Sequence, residues 1–337
     1  MSDEVPSRIE DLPNEIWLEV FDYLDWINLF SAFYGLNKRI NEFLLSIKYL
    51  SLYSSYLINS SNSIYICFQE FPIKEFKQIQ HFQLIYDNPY ENELNIAKHF
   101  TRFSTLISLR IDTNCGESGC NNEFGTIIFH QHCPYLQRLY LYGNVFDREL
   151  QIIDDICTFY FSSLRYIHVN KLPFNLAIQL LDQGTQLRSF SAILYGYPER
   201  VSSILLPDRI RMGLPLLNKL SLGEDNYFET ESSSTLFEFL FPCCPNLRTF
   251  TVDIRCNDNC EKLLDPNWWA HLLASHNRLK RISFHIKWWT RNFRSNGHEK
   301  IQRFRSSSFF TELNANITSE FDSDFLRSVS YDLYIKN

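Results

Sequence analysis

A short apolar motif recurs along most of the chain and limits the folds that the sequence can adopt. Its clearest form is Leu-x-x-Leu-x-Leu, and other copies carry Ile, Val or Phe at the same spacing. The first apolar positions of eight copies fall at residues 79, 106, 136, 164, 187, 217, 247 and 279. Successive copies are therefore 27, 30, 28, 23, 30, 30 and 32 residues apart. This period indicates a stack of similar repeats, because a single repeat of that size cannot bury its own apolar face.

Each repeat is interpreted as a strand followed by a connection, a helix and a turn. The last two apolar positions of the motif alternate with other residues, as in a strand that buries one face. Pro134 and Pro245 precede two of the motifs, where proline interrupts a helix and favours an extended exit. Helix-like apolar stretches precede most copies, at residues 124–130, 152–161, 176–181, 236–241 and 268–273. We predict an α/β solenoid with parallel strands on its concave face and helices on its convex face.

The strand residues that alternate with the buried ones are predicted to project from the concave face, where a solenoid binds partners. Tyr and Arg are frequent at binding hot spots because they combine a large area with directional hydrogen-bond donors. The wider row contains Asp112, Lys219, Asp253, Arg281 and His285. We predict a substrate-binding patch that consists of Arg110, Tyr140, Tyr142, Tyr166 and His168.

The first fifty residues follow a different pattern, in which apolar residues recur at helical spacing. The stripe of a first helix is Ile16, Trp17, Val20, Phe21 and Leu24. Residues 27–34 fit a second helix, which Gly35 can end in a left-handed turn. Asn37 can cap a third helix. Three helices in about forty residues cannot bury all of these side chains alone, so we predict a docking module.

This segment resembles an F-box. The matching residues are Leu12-Pro13, Glu15-Ile16, Val20-Phe21, Tyr23-Leu24, Leu29 and the run Leu36-Asn37-Lys38-Arg39. F-box proteins are substrate receptors of SCF-type ubiquitin ligases, and the F-box docks on the small SCF adaptor, which connects it to the cullin. The resemblance implies that the adaptor-binding residues are Leu12, Pro13, Ile16, Val20, Phe21, Leu24 and Leu29.

The repeats resemble a leucine-rich-repeat array, a type of domain that is often attached to F-boxes. The two resemblances imply a three-helix F-box at residues 1–50, followed by a degenerate leucine-rich-repeat solenoid at residues 51–337. The first repeat is expected to be atypical, with its strand at residues 64–68. A last strand is expected near residues 326–331, after an insertion at residues 287–315.

The sequence lacks the common signatures of catalysis. It contains no Gly-x-Gly-x-x-Gly, phosphate-loop, Gly-x-Ser-x-Gly or His-Glu-x-x-His motif, and only 10 of its 337 residues are glycine. We therefore predict a receptor subunit that is not an enzyme and that needs no cofactor. The predicted function is substrate recognition in an SCF-type ubiquitin ligase, with an unknown protein as the substrate. The alternatives are a repeat scaffold outside any ligase and an RNA-associated repeat protein.

The nine cysteines indicate a reducing compartment. Their number is odd, they are scattered, and the sequence shows neither a secretory signal nor an apolar run of about 20 residues, so we expect a cytoplasmic or nuclear protein that binds no membrane. Two pairs have close spacing: Cys115 with Cys120, and Cys256 with Cys260. They lie too many repeats apart to share one four-ligand zinc site. A local site of the first pair with His130 or His132 is the alternative to free thiols, which we favour.

A basic segment lies near the C-terminal end of the repeats. Residues 278–305 hold nine basic side chains and one acidic side chain, interleaved with Trp288, Trp289, Phe293 and Phe304. Three interpretations fit this segment. It is a solvated insertion whose aromatic residues pack on the repeats, a surface for an acidic or phosphorylated protein, or a site where single-stranded nucleic acid stacks on aromatic side chains. We favour the first interpretation, since the net charge of −7 disfavours nucleic acid as a partner of the whole chain.

Overall fold

The described residues form helices and mostly parallel strands, and the chain divides into two compact units. A computed structural model describes residues 12–24, 26–53, 78–86, 103–113, 133–143, 163–195, 213–224, 232–257, 260–290, 297–325 and 328–336. The first unit is Met1–Asp147 and the second is Arg148–Asn337. In the described part of the chain, no helix combines the length and the apolar character that crossing a membrane requires.

Three short helices open the first unit: α1 (Asn14–Asp22), α2 (Trp26–Phe33) and α3 (Lys38–Leu45). Gly35 follows α2 with a φ of 88°, a left-handed conformation that glycine adopts without steric cost. Asn37 then caps α3, because its Oδ1 accepts a hydrogen bond of 2.9 Å from the backbone N–H of Ile40. The glycine turn and the asparagine cap are therefore confirmed.

Aromatic side chains hold the three helices together. The Trp17 ring lies 5.7 Å from the Phe21 ring and 5.2 Å from the Phe33 ring, the latter edge to face. Phe43 of α3 completes the cluster at 5.5 Å from Phe21. Such pairs add to the free energy gained by burying apolar area, so the helices form a small core of their own.

Four parallel strands follow in the first unit: β1 (Tyr49–Tyr53), β2 (His81–Tyr86), β3 (Ser108–Thr113) and β4 (Arg138–Tyr142). Helix α2 packs against β1. Alternate residues of the strands are buried, namely Leu50, Phe82, Leu84, Leu109, Ile111, Leu139 and Leu141. The opposite face of each strand is therefore available to solvent or to a partner.

The second unit contains five parallel strands: β5 (Tyr166–Pro173), β6 (Ser189–Tyr195), β7 (Lys219–Glu224), β8 (Thr249–Asn257) and β9 (Arg281–Thr290). The helices that alternate with them are α4 (Phe174–Gln183), α5 (Ser232–Cys243) and α6 (Pro266–Ala274). The unit ends with α7 (Gly297–Arg305), α8 (Ser308–Glu312), β10 (Asn316–Phe325) and β11 (Ser328–Lys336).

The strand positions follow the sequence motif closely. Each of the eight strands from β2 to β9 begins two residues after the first apolar position of its motif. Helices α4, α5 and α6 cover the predicted stretches 176–181, 236–241 and 268–273, whereas the stretches 124–130 and 152–161 lie outside the described residues. The prediction of an α/β chain built from parallel strands and helices is therefore confirmed, and it is compatible with a solenoid.

The two ends of the repeat region differ from the expectation. Strand β1 pairs with β2 and crosses the predicted boundary at residue 50, while the strand expected at residues 64–68 lies outside the described residues. Strand β11 overlaps the expected last strand, but it runs antiparallel to β9. Strand β11 is also antiparallel to β10, from which only two residues separate it, because a connection this short cannot make the longer crossover that a parallel pair needs.

Candidate interaction surfaces

One flank of α1 leaves apolar side chains uncovered. Ile16 is 39 % exposed and Tyr23 is 90 % exposed, and Val20 between them is half-buried. These residues are spaced i, i+4 and i+7, so they share one side of the helix. Pro13, just before α1, is exposed, and Leu12 and Leu24 are half-buried. Five of the seven predicted adaptor-binding residues thus retain accessible surface.

The other two predicted adaptor-binding residues are buried. Phe21 lies between Trp17, Phe33 and Phe43 in the helical core. Leu29 is also buried in α2. Phe21 therefore packs behind the α1 flank, while the role of both side chains in adaptor binding remains a prediction.

Arg39 fixes the start of α1, although no local sequence pattern indicates this role. Its Nη2 donates to the carbonyl oxygen of Leu12 at 2.9 Å and to Oδ1 of Asn14 at 2.8 Å. These two bonds join the first turn of α3 to the beginning of α1. The position of Leu12 and Pro13 relative to the exposed flank is therefore set by a side chain of the third helix.

Arg110, Tyr140 and Tyr142 lie on the uncovered face of β3 and β4. Arg110 is in register with Tyr140, and Asp112 is in register with Tyr142. The Arg110 guanidinium carbon lies 4.8 Å from the centre of the Tyr142 ring, and its Nη2 lies 3.4 Å from Oδ2 of Asp112. The cation–π contact and the ion pair orient the guanidinium group, although each contributes little stability at an exposed site.

The same face continues across β2 and β1. Gln83 is in register with Arg110, and its Oε1 accepts a hydrogen bond of 2.9 Å from the hydroxyl group of Tyr49. The Tyr49 ring lies 6.3 Å from the His81 ring. Tyr49 and Gln83 are not among the predicted substrate-binding residues, because residue 49 belongs to the segment predicted as helical and Gln83 belongs to one of the weaker motifs.

Tyr166 and His168, the remaining predicted substrate-binding residues, lie in the second unit. They are half-buried alternate residues of β5, and Nδ1 of His168 is hydrogen-bonded to Oγ of Ser191 at 3.0 Å. His168 opens a row of short polar side chains across the five strands: Ser191, Ser221, Thr251 and Ser283. On β9, Nδ1 of His285 lies 3.1 Å from Oδ1 of Asp253.

The cysteine residues with described side chains are buried and form no disulfides. They are Cys133, Cys243, Cys244 and Cys260. Cys115 and Cys120 lie outside the described residues. In the described portions, no cluster of three or more His, Cys, Asp or Glu residues could hold a metal ion.

Burial makes two of these thiols poor nucleophiles. It raises the pKa of Cys133 to about 11 and that of Cys244 to about 12, so both remain protonated well above neutral pH. At about pH 8, we expect iodoacetamide to alkylate them at least roughly 100-fold more slowly than it alkylates free cysteine. Peptide mass spectrometry measures the rates, and alkylation in denaturant is the control. Alkylation of either thiol in the folded chain at the rate of free cysteine would contradict the raised pKa values of Cys133 and Cys244.

The aromatic residues of the basic segment are partly enclosed. Trp288 in β9 and Phe304 in α7 are buried, and the Phe304 ring lies 5.7 Å from the buried Phe310 of α8. A buried ring cannot stack on a nucleobase, and Phe293 lies outside the described residues. Trp288 and Phe304 therefore favour a packed insertion over a nucleic-acid site.

The sequence matches no model of a known protein family. No curated protein is significantly similar to it.

Proposed function

We propose that this chain is the substrate-recognition subunit of an SCF-type ubiquitin ligase. One observation carries the proposal: the N-terminal helices bury their aromatic residues among themselves, yet Ile16 and its neighbours on one flank remain uncovered. Those neighbours include Leu12 and Pro13, which belong to the residues that resemble an F-box. A helical module that completes its own core but exposes an apolar flank is suited to bind another subunit.

In this proposal, the SCF adaptor covers the flank of α1. The contacting residues are Leu12, Pro13, Ile16, Val20 and Leu24; Phe21 packs behind them among the helical aromatics, and Leu29 is buried in α2. Arg39 holds the start of α1 in place through its bonds to Leu12 and Asn14. This arrangement limits the conformational entropy that the module loses on binding.

The repeats hold the target protein. Arg110, oriented by Tyr142 and Asp112, provides a cation beside an aromatic surface in the first unit, and Tyr166 and His168 provide a second set in the second unit. The adaptor connects the chain to the cullin, and the ligase modifies lysines of the bound target. Catalysis depends on proximity, because tethering raises the effective concentration of the acceptor lysines. This chain contributes no catalytic residue, and it acts in the cytoplasm, the nucleus or both.

Affinity isolation of the full chain and of a Leu12→Ala/Pro13→Ala variant tests the proposal. We expect the wild-type chain to isolate the SCF adaptor, the cullin and target proteins. The variant should lose the adaptor and the cullin while it retains the targets. Leu18→Ala is the matched control, since Leu18 is 52 % exposed on the other flank of α1 and should leave all proteins bound. Absence of the adaptor from the wild-type sample would instead support a scaffold outside any ligase.

A further inference from the structure

A row of positive charge lies where the strands of the second unit begin. Backbone hydrogen bonds connect the residues that precede β5 to β9: Arg188 N–H to Arg165, Asn218 N–H to Arg188, Arg248 N–H to Asn218, and Lys280 N–H to Arg248, each of 2.8 or 2.9 Å. Four of these five residues are cationic, and all five are exposed. The repeat thus places one side chain per strand in a continuous line.

The residues one position further along each strand form a second row, and this row supplies a cation beside Asn218, the single neutral residue of the first. Lys219 follows Asn218, and it is in register with Ser189 and Thr249, while Arg281 follows Lys280. Every one of the five strands therefore begins with at least one exposed cation. Since neighbouring strands lie about 4.8 Å apart, the row extends over roughly 19 Å. We call these six residues the basic row: Arg165, Arg188, Lys219, Arg248, Lys280 and Arg281.

The equivalent positions of the first unit show that the repeat does not require these charges. There, the backbone bonds connect Lys48, Gln80, Ile107 and Gln137. The following row contains Tyr49, His81, Ser108 and Arg138. Only Lys48 and Arg138 are lysine or arginine among these eight residues. The same backbone geometry therefore accepts neutral side chains, and the cations of the second unit call for another explanation.

The basic row is not neutralised by the described part of the chain. None of its six side chains forms an ion pair or a side-chain hydrogen bond with a described residue. Among the described residues of this unit, the acidic side chains with ion pairs have other partners: Glu238 pairs with Lys262, Asp253 with His285, and Asp265 with Arg303. Six adjacent cations repel one another, so an anionic partner would be attracted to them.

We propose that the basic row binds an acidic polypeptide segment that lies in an extended conformation across the starts of β5 to β9. An extended chain places side chains of one face about 6.8 Å apart, so a segment of six or seven residues spans the row with three or four carboxylates. The flanking Asn218, Ser189 and Thr249 can bond to its backbone. The inference uses only second-unit residues, so it does not rest on adaptor docking.

The composition of the row favours protein over nucleic acid. Single-stranded nucleic acid is usually held by aromatic side chains on which successive bases stack. Tyr166, at one end, is the single aromatic residue among the ten described positions of the two rows in the second unit.

The test measures the fluorescence anisotropy of a labelled oligo-glutamate of about twelve residues with the full chain at low ionic strength. We expect saturable binding that the Arg188→Glu/Arg248→Glu variant weakens at least about tenfold, because opposite charge is replaced by like charge at two central positions. The matched control is Arg255→Glu/Lys262→Glu in the same unit, at two exposed cations outside the row; Arg255 lies six residues beyond the start of β8, or about 20 Å along the strand. It changes the net charge by the same amount and should alter the affinity less than about twofold.

Three results would overturn the inference. They are no binding of oligo-glutamate by the wild-type chain, equal weakening by the two double variants, or tighter binding of an oligothymidylate of the same length. The substituted side chains are exposed, so far-ultraviolet circular dichroism should show that both variants are folded. The inference is supported if Arg188→Glu/Arg248→Glu weakens the binding of oligo-glutamate more than the control variant does, and if the wild-type chain binds oligo-glutamate more tightly than oligothymidylate.

Discussion

Replacement of Trp269 by alanine is expected to lower the free energy of unfolding by about 3–5 kcal/mol. The Trp269 side chain is fully buried in α6, and its ring lies 5.3 Å from Phe237 and 4.7 Å from Phe284. Its Nε1 donates to the carbonyl oxygen of Leu263 at 2.9 Å. Alanine would leave a cavity between the helix and β9 and an unsatisfied carbonyl group. The loss is a large part of the total stability of a typical protein domain.

Trp268 is the matched control for this prediction. It is the adjacent residue of the same helix, but it is half-buried, and its Nε1 donates to Oε1 of Glu238 near the surface. Trp268→Ala should cost only about 1–2 kcal/mol, because solvent can replace much of what it contacts. Urea unfolding followed by far-ultraviolet circular dichroism measures both values. Equal losses in the two variants would show that the burial of Trp269 does not determine the stability of this unit.

Replacement of Ile16 by aspartate is expected to weaken binding of the SCF adaptor at least about thirtyfold. In the proposed complex, Ile16 is the exposed apolar residue at the centre of the α1 flank, between Leu12 and Val20 along the chain. A carboxylate in its place would be removed from water without a partner when the adaptor binds. The core residues Trp17 and Phe21 are unchanged, so the helices should still form.

Leu18→Asp provides the matched control for the binding experiment. The Leu18→Asp substitution introduces the same charge into the same helix, two residues from Ile16. The Leu18 side chain projects from the opposite flank of α1. We expect the affinity of this variant for the adaptor to remain within about threefold of the wild-type value. Surface plasmon resonance with immobilised adaptor gives both dissociation constants. Similar weakening by Ile16→Asp and Leu18→Asp would indicate that the α1 flank is not the contact surface.

The strands of the repeats could be predicted because the residue pattern of each motif favours a strand locally. Two apolar residues that alternate with polar ones, as in Leu139 and Leu141, bury one face of a strand, and proline before the motif stops the preceding helix. The same alternation is present at Leu50 and Leu52 of β1, but it begins only three residues after α3 and has no proline before it, so the predicted boundary of the helical segment falls at residue 50. The direction of β11 also escaped prediction, because it depends on the short connection to β10 and not on the apolar pattern.

The surfaces could be predicted only in part, because helical periodicity does not separate a buried stripe from its exposed flank. Ile16 and Phe21 belong to one apolar pattern in the sequence, yet Phe33 and Phe43 cover only Phe21. The bonds of Arg39 to the start of α1 join residues 25 and 27 positions apart, a distance at which the sequence carries no local signal. The basic row likewise became visible only when the register aligned the starts of the strands.

Calorimetric titration of the full chain with a purified SCF adaptor tests the central claim most directly. If the uncovered flank of α1 is a docking surface, the titration should show one adaptor per chain, with a dissociation constant of about 1 μM or lower. Ile16→Asp should abolish the heat of binding under the same conditions. Absence of a complex with the wild-type chain at about 100 μM adaptor would contradict the ligase assignment, whatever the repeats bind.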